Sequence, residues 1–106
     1  KNITDAGLES LIRGFPQTLR QLNLDCLGCI NISDSGLVFF GENLPGGLSE
    51  LNVHFDRCAL ITNDGVRRFA TGLPATITVF TGTFRGTAAN TIIRSKEELA
   101  KWRRAG

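Results

Sequence analysis

The sequence predicts an α/β fold, a right-handed solenoid of about three 29-residue coils with a parallel sheet on one wall and helices on the other. Two observations carry this prediction. The hexapeptide at 3–8, Ile-Thr-Asp-Ala-Gly-Leu, returns in related form at 32–37 and 61–66, a step of 29 residues each time. Within each unit the spacing of apolar residues changes from about 3.6 to about 2. A fixed period of this length is typical of units that bury their apolar faces against their neighbours.

Each unit is expected to begin with a helix. In the first unit, apolar residues at 8, 11, 12 and 15 follow the i, i+3, i+4, i+7 spacing of one helix face. Capping side chains precede the three helices at 4–5, 33–34 and 63–64, and a proline follows each helix. A glycine recurs in every first helical turn, although glycine disfavours helices, so we expect close packing between units there. These glycines are Gly7, Gly36 and Gly65.

The second half of each unit is expected to be a strand. Residues 21–26, 50–55 and 79–84 alternate in polarity, so we predict three parallel neighbours in one sheet. The repeat register is lost from Asn90, and 95–98 then form a capping box for a last helix with Leu99 and Trp102. We therefore divide the chain into a solenoid at 1–90 and a C-terminal capping or docking helix with a basic tail at 91–106.

The repeats resemble a known family. Residues 19–24 and 48–53 resemble the L-x-x-L-x-L core of leucine-rich repeats, and Cys29 and Cys58, each followed by an Ile-Ser/Thr-Asp/Asn motif, are similar to the cysteine-containing subclass. The resemblance covers about 3–88. It departs in placing each cysteine five residues after the last core position rather than three, which we interpret as a strand lengthened by an inward layer. The resemblance implies a curved solenoid that binds proteins as an adaptor or assembly subunit, without catalysis. The added inward layer would be Cys26, Phe55 and Phe84.

Composition limits the function classes. The 106 residues allow one domain, and the net charge of +2 does not by itself indicate nucleic acid. No apolar run approaches the length of a membrane span. The chain opens on Lys1 and lacks methionine, so we interpret it as part of something longer or as processed. Three cysteines are an odd count, which favours a reducing compartment, but the localisation stays unknown.

The cysteines offer an alternative function. Cys26, Cys29, His54 and Cys58 form a C-x2-C…H-x3-C set that could describe zinc or a thiol-redox pair. The repeat register gives each a separate structural position: an inward site, a turn site, the outer sheet face and the next turn. A disulfide between the two turn cysteines is geometrically conceivable. We predict three thiols, no metal and no cofactor.

No catalytic arrangement is evident. The single histidine, His54, lies near Asp56 and Cys58, which invites a nucleophile hypothesis. On a strand, however, residues two apart only share a face, and Cys58 lies beyond the strand. A solvated surface histidine is the better interpretation, so we predict a protein that is not an enzyme and has no small-molecule substrate.

Two surfaces are candidates for binding a protein. Outward strand positions form polar columns across the sheet, for which the alternative is plain solvation. The predicted middle helix carries Val38 and Phe39 where its neighbours carry polar residues, so both are expected to face water. The alternative there is a small helix rotation that tucks Phe39 inward. The predicted column residues are Gln21, Asn23, Asp25, Glu50, Asn52, His54, Thr81 and Thr83.

The two ends of the chain add further expectations. Leu8, Leu11, Leu22 and Leu24 are expected to border an open N-terminal edge. In the basic tail, nucleic-acid or anionic-membrane contact through Arg103 and Arg104 competes with solvated charge, which we favour. The function we predict is a non-catalytic interaction module, an adaptor or scaffold. The alternatives are a structural subunit of a large multi-protein complex and the zinc or thiol-redox protein.

Overall fold

The computed structural model describes residues 3–104, apart from the side chain of Arg104. The described chain alternates helices and strands as far as β3, continues into a second strand and ends on a helix. None of its helices has the length and apolar character needed to cross a membrane. The elements are α1 (Asp5–Arg13), β1 (Gln21–Asp25), α2 (Asp34–Glu42), β2 (Glu50–His54), α3 (Asn63–Gly72), β3 (Val79–Thr83), β4 (Ile92–Ile93) and α4 (Lys96–Arg104).

The strands form one mixed sheet in the order β1-β2-β3-β4. The first three strands are parallel, and their register places Gln21 opposite Glu50 and Glu50 opposite Val79. Pairing partners are therefore 29 residues apart, the period of the sequence motif. The prediction that these three strands are parallel neighbours is confirmed. The fourth strand runs antiparallel to β3, with Gly82 opposite Ile93.

The prediction of a right-handed leucine-rich-repeat-like solenoid is wrong. The described residues form a small, compact α/β fold with four helices, a mixed sheet and extents of 31 × 29 × 19 Å. After β3 the chain turns back through Asn90, whose φ of 43° is a left-handed conformation that asparagine tolerates. Ile93, fully buried, then pairs beside Gly82, where β3 lacks a side chain. The return strand and α4 close this end instead of a further parallel unit.

Carboxylates link the start of one helix to the start of the next. Asp5 Oδ1 accepts from the Ser33 backbone N–H at 2.8 Å, and Asp5 Oδ2 accepts from the Ser33 hydroxyl at 2.5 Å. Asp34 accepts from the N–H and hydroxyl of Thr62 at the same distances. A Cβ added at Gly36 would overlap the Asp5 carboxylate, so close packing explains this helical glycine, as the sequence predicted.

The core lies between the helices and the inner face of the sheet. It is centred on five fully buried phenylalanines, whose neighbouring ring centroids lie 5.7–6.5 Å apart. The predicted inward layer is buried, but each of its residues lies just beyond its strand rather than inside a lengthened one. The layer residues are Cys26, Phe55 and Phe84. The phenylalanines are Phe40, Phe55, Phe69, Phe80 and Phe84.

Candidate functional site

The outer face of the sheet carries a first network of predicted column residues on β1 and β2. Gln21 Nε2 donates to Glu50 Oε1 at 3.1 Å. Asn52 Nδ2 donates to Asn23 Oδ1 at 2.8 Å and to Glu50 Oε2 at 3.1 Å. The structure therefore brings four predicted residues together and fixes their side chains against one another. We call this set the amide network.

A second network crosses from β2 to the end of β3. The Thr83 hydroxyl donates to Asp56 Oδ2 at 3.0 Å, and His54 Nδ1 lies 3.0 Å from the same hydroxyl oxygen. Because that hydroxyl has a single proton, His54 must donate from Nδ1, which leaves its Nε2 for other partners. Asp56 also accepts from the Arg85 backbone N–H at 2.7 Å, and the Arg85 guanidinium lies 3.6 Å away. We call this set the histidine network.

One column residue, Thr83, differs from the outward, solvated position predicted for it. Thr83 is only 8% exposed, because His54 and Asp56 cover it on the outer face and it lies beside β4. Asp25 is exposed, but its Oδ1 accepts from the Leu27 backbone N–H at 3.0 Å, so it fixes the turn after β1. Thr81 is half-buried opposite Asn52.

A depression of about 620 Å³ adjoins the histidine network beyond the ends of the strands. Two of its lining residues, Arg57 and Gly86, occupy the same turn position as Gly28 in the repeat. Their φ values are 64° and 75°. Sequence reasoning missed Arg57 as a site residue. The signal was the left-handed turn position, which recurs every 29 residues and holds glycine in two of three cases. The depression is lined by Leu27, Asp56, Arg57, Arg85 and Gly86.

The three cysteines are buried in the core and none forms a disulfide. Burial and the neighbouring Cys29 raise the pKa of Cys26 to about 12, and burial likewise raises the pKa of Cys58 to about 11. The Cys58 thiol donates to the Cys26 carbonyl at 3.0 Å, which confirms its predicted turn-bonding position. Among the described residues, no group of three His, Cys, Asp or Glu side chains is placed to hold a metal ion.

The prediction that Val38 faces water is wrong, since it is 6% exposed. The middle helix α2 packs between α1 and α3, so its flanks are covered. The repeat register does not show such flanking helices. Phe39 is half-buried, and the Arg13 guanidinium carbon lies 5.4 Å from its ring centroid. This pair therefore does not form the exposed apolar patch expected from the sequence.

The C-terminal helix packs on α3. Leu99 is buried and Trp102 is half-buried, while Ser95 Oγ accepts from the Glu98 N–H at 3.1 Å as the predicted cap. Arg103 Nε donates to the Ala70 carbonyl at 2.8 Å, so its side chain helps to satisfy the end of α3. The side chain of Arg104 lies outside the described residues.

The first edge of the sheet carries apolar side chains that are only partly buried. Leu8 is buried, in contrast to the expectation that it borders an open edge, while Leu11, Leu22 and Leu24 are half-buried. Their exposure follows from position, because β1 has a paired neighbour, β2, on one side only.

Chemically, the outer face offers fixed amide, imidazole and carboxylate groups on three rigid strands, next to a shallow depression. Such an arrangement can bind polar groups of another molecule. The predicted division at residue 90 and the resemblance to leucine-rich repeats stay predictions. Compared with protein-family models, with curated proteins and with solved structures, the chain shows no match.

Proposed function

We propose that the chain is a non-catalytic protein–protein interaction module, an adaptor or scaffold, that binds a protein partner through the outer face of the sheet. The observation that carries this proposal is the pair of side-chain networks on that face. Side chains already held by hydrogen bonds lose less conformational entropy on binding than free ones, so they suit a recognition surface. Their partners on neighbouring strands keep this geometry fixed.

The chemistry of the face favours a partner of mixed polarity. Glu50 and Asp56 supply negative charge, and Arg57 and Arg85 supply positive charge around the depression. Leu27, 57% exposed on the rim, adds an apolar contact. A small apolar contact surrounded by polar groups is the usual arrangement of a transient interface. Neither sign of charge dominates, so a protein surface fits better than a polyanion.

The thiol alternative has less support. The thiolate is the reactive and metal-binding form of cysteine. Burial holds the pKa values of Cys26 and Cys58 at about 12 and about 11, so both thiols are protonated near neutral pH. His54, the fourth member of the proposed zinc set, bonds to Thr83 on the opposite face of the sheet from these buried thiols.

The test uses matched lysine substitutions and a quantitative binding assay. Immobilised wild-type protein, Asn52→Lys and the control Gln17→Lys are each incubated with extract from the source cells, and retained proteins are quantified by mass spectrometry. Asn52 lies in the amide network, and Gln17 is an exposed loop residue after α1. We expect a specific protein to be retained by wild type and control and lost with Asn52→Lys. That protein is then purified and titrated by calorimetry to establish direct binding.

Retention that is identical for all three baits would contradict binding through the outer face. Thermal melts of each bait exclude unfolding as the cause of any loss. Metal analysis of the same purified protein tests the zinc alternative, because stoichiometric zinc that disappears with Cys26→Ser would favour that function instead.

A further inference from the structure

The β1 edge exposes a row of unpaired backbone groups. Cys26 N–H donates to the His54 carbonyl at 2.7 Å, and the Arg20 carbonyl accepts from Ser49 N–H at 2.8 Å, so even-numbered residues bond towards β2. Alternate residues of a strand direct their backbone groups to opposite edges. The odd-numbered residues Gln21, Asn23 and Asp25 therefore direct their N–H and C=O groups to the free edge. Within residues 3–104, no strand pairs with that edge.

Apolar side chains accompany this row. Six residues of the first unit are only partly buried, whereas their equivalents 29 residues later are all buried. An unpaired strand with an apolar margin is a ready template for pairing with another strand. The partly buried set is Ile3, Leu11, Phe15, Leu19, Leu22 and Leu24. The buried equivalents are Ile32, Phe40, Leu44, Leu48, Leu51 and Val53.

We propose that this edge pairs with the same edge of a second copy of the chain, as an antiparallel β1–β1 ladder with its two-fold axis at Asn23. The ladder forms through the backbone edge of β1 and extends the sheet sideways, and it shares Gln21 and Asn23 with the amide network of the outer face. The occupant is inferred from the sequence of β1, Gln-Leu-Asn-Leu-Asp, whose polarity pattern reads the same in both directions.

The backbone allows this register without adjustment. With the axis at Asn23, odd-numbered residues face odd-numbered residues of the second copy, so each such pair exchanges both N–H···O bonds. All five residues of the strand are paired. An axis between two residues would set an odd-numbered residue against an even one, whose backbone groups already bond to β2.

The side chains agree with the same register. Gln21 faces Asp25 of the second copy, so an amide N–H meets a carboxylate, and Leu22 faces Leu24. Asn23 faces Asn23 of the second copy. Its Nδ2 is left to donate because its Oδ1 already accepts from Asn52. Moving the axis to Asp25 would instead place two carboxylates opposite each other. Only the axis at Asn23 combines complete pairing with complementary side chains.

Disulfide trapping tests the register directly. Paired residues in such hydrogen-bonded positions have Cα atoms about 5.5 Å apart, within the range a disulfide spans. Asn23→Cys should therefore oxidise to a covalent dimer, whereas the control Gln21→Cys, which faces Asp25 across the axis, should not. The three native cysteines are buried, and burial raises the pKa of Cys26 and Cys58, so they interfere little. Equal cross-linking of both variants, or of neither, would overturn the proposed register.

Sedimentation equilibrium from low micromolar to sub-millimolar protein tests the association itself. We expect wild type to move from monomer to dimer and Asn23→Pro to stay monomeric, since proline removes an N–H that faces only the free edge. Gln21→Lys should tighten the dimer and Gln21→Glu should weaken it, each by a few-fold to about thirtyfold because the pair occurs twice. A monomer at every concentration, or a dimer unchanged by Asn23→Pro, would overturn the proposal. Outer-face binding by Gln17→Lys and Asn52→Lys is measured separately, so the two proposals fail independently.

Discussion

The two edges of the sheet differ, although both are made from the same repeating pattern. At the β3 edge, β4 pairs with the strand, α4 packs over it, and Ile93 is buried. At the β1 edge, Leu22 and Leu24 stay half-buried, while the equivalent Leu51 and Val53 are fully buried. The comparison teaches that burial in this protein depends on having a neighbour on each side, more than on the residue itself.

The carboxylate links between helices also depend on having a neighbouring unit. Asp5 and Asp34 each bind the cap of the next unit, and the third position in this series is Asn63, which is exposed beside Trp102. No further helix cap of the repeat follows α3 in the described chain, so an amide replaces the acid where there is no cap to bind.

The largest expected difference between interior and edge is in the strand leucines. Leu51→Ala should lower the free energy of unfolding by about 2–5 kcal/mol through lost burial and a cavity. Leu22→Ala removes a side chain that is already half-exposed, so we expect about 1–2 kcal/mol. Urea unfolding of both variants under monomeric conditions measures the two losses. Equal losses would break the comparison.

The helical glycines provide the second comparison. Gly36→Ala forces its new Cβ against the Asp5 carboxylate and should cost about 2–3 kcal/mol. At Gly7 a Cβ would meet only Ile3 and Thr4, at 3.4 and 3.6 Å. Gly7→Ala should therefore be neutral or stabilise by up to about 1 kcal/mol, because alanine favours the helix. Thermal melts give both values, and a destabilised Gly7→Ala would show that Gly7 has no room for a side chain.

The carboxylate links between helices provide the third comparison of interior and edge. Asp34→Asn removes a charged acceptor from the Thr62 N–H and hydroxyl and should cost about 1–2 kcal/mol, reduced by partial exposure. The reverse change, Asn63→Asp, has no cap to bind and should stay within about 0.5 kcal/mol. Denaturant titration of the two single variants is sufficient. Stabilisation by Asn63→Asp would mean that a hydrogen-bond donor for this carboxylate exists near α4.

The last comparison concerns Cys26, which follows the edge strand but lies inside the core. Its folded pKa of about 12 exceeds the unfolded value of 9.0, mainly through burial, so the folded state holds the proton more tightly. The thiol thus contributes stability below pH 9 that is lost as the pH rises from about 9 towards 12. Cys26→Ala should flatten this alkaline decline, measured by urea midpoints across that range. A slope identical to wild type would contradict the burial of Cys26.

The site was predictable where it depends on register. The 29-residue period places Gln21 beside Glu50 and Asn23 beside Asn52, so adjacent columns could be predicted from spacing alone. It does not show that Thr83 is covered by His54 and Asp56, because those contacts depend on side-chain directions across two strands. Val38 was misplaced for a similar reason, since helix periodicity cannot show that a helix has neighbours on both flanks.

The sequence by itself determined the Thr4 cap, the parallel pairing of β1, β2 and β3, and the inward layer at Cys26, Phe55 and Phe84. These features follow from local chemistry and from a period that fixes which residues meet. The prediction of the third cap at 63–64 is wrong, because Thr62 caps α3, and Ser33 at the second cap makes no side-chain cap bond. Only the tertiary structure decided how the last units close. Ile92 and Ile93 are too few to show a periodicity, and their antiparallel pairing with β3 depends on the core that α4 helps to cover. The closed compact fold at that edge therefore arises from packing, while the open β1 edge keeps the repeat pattern exposed.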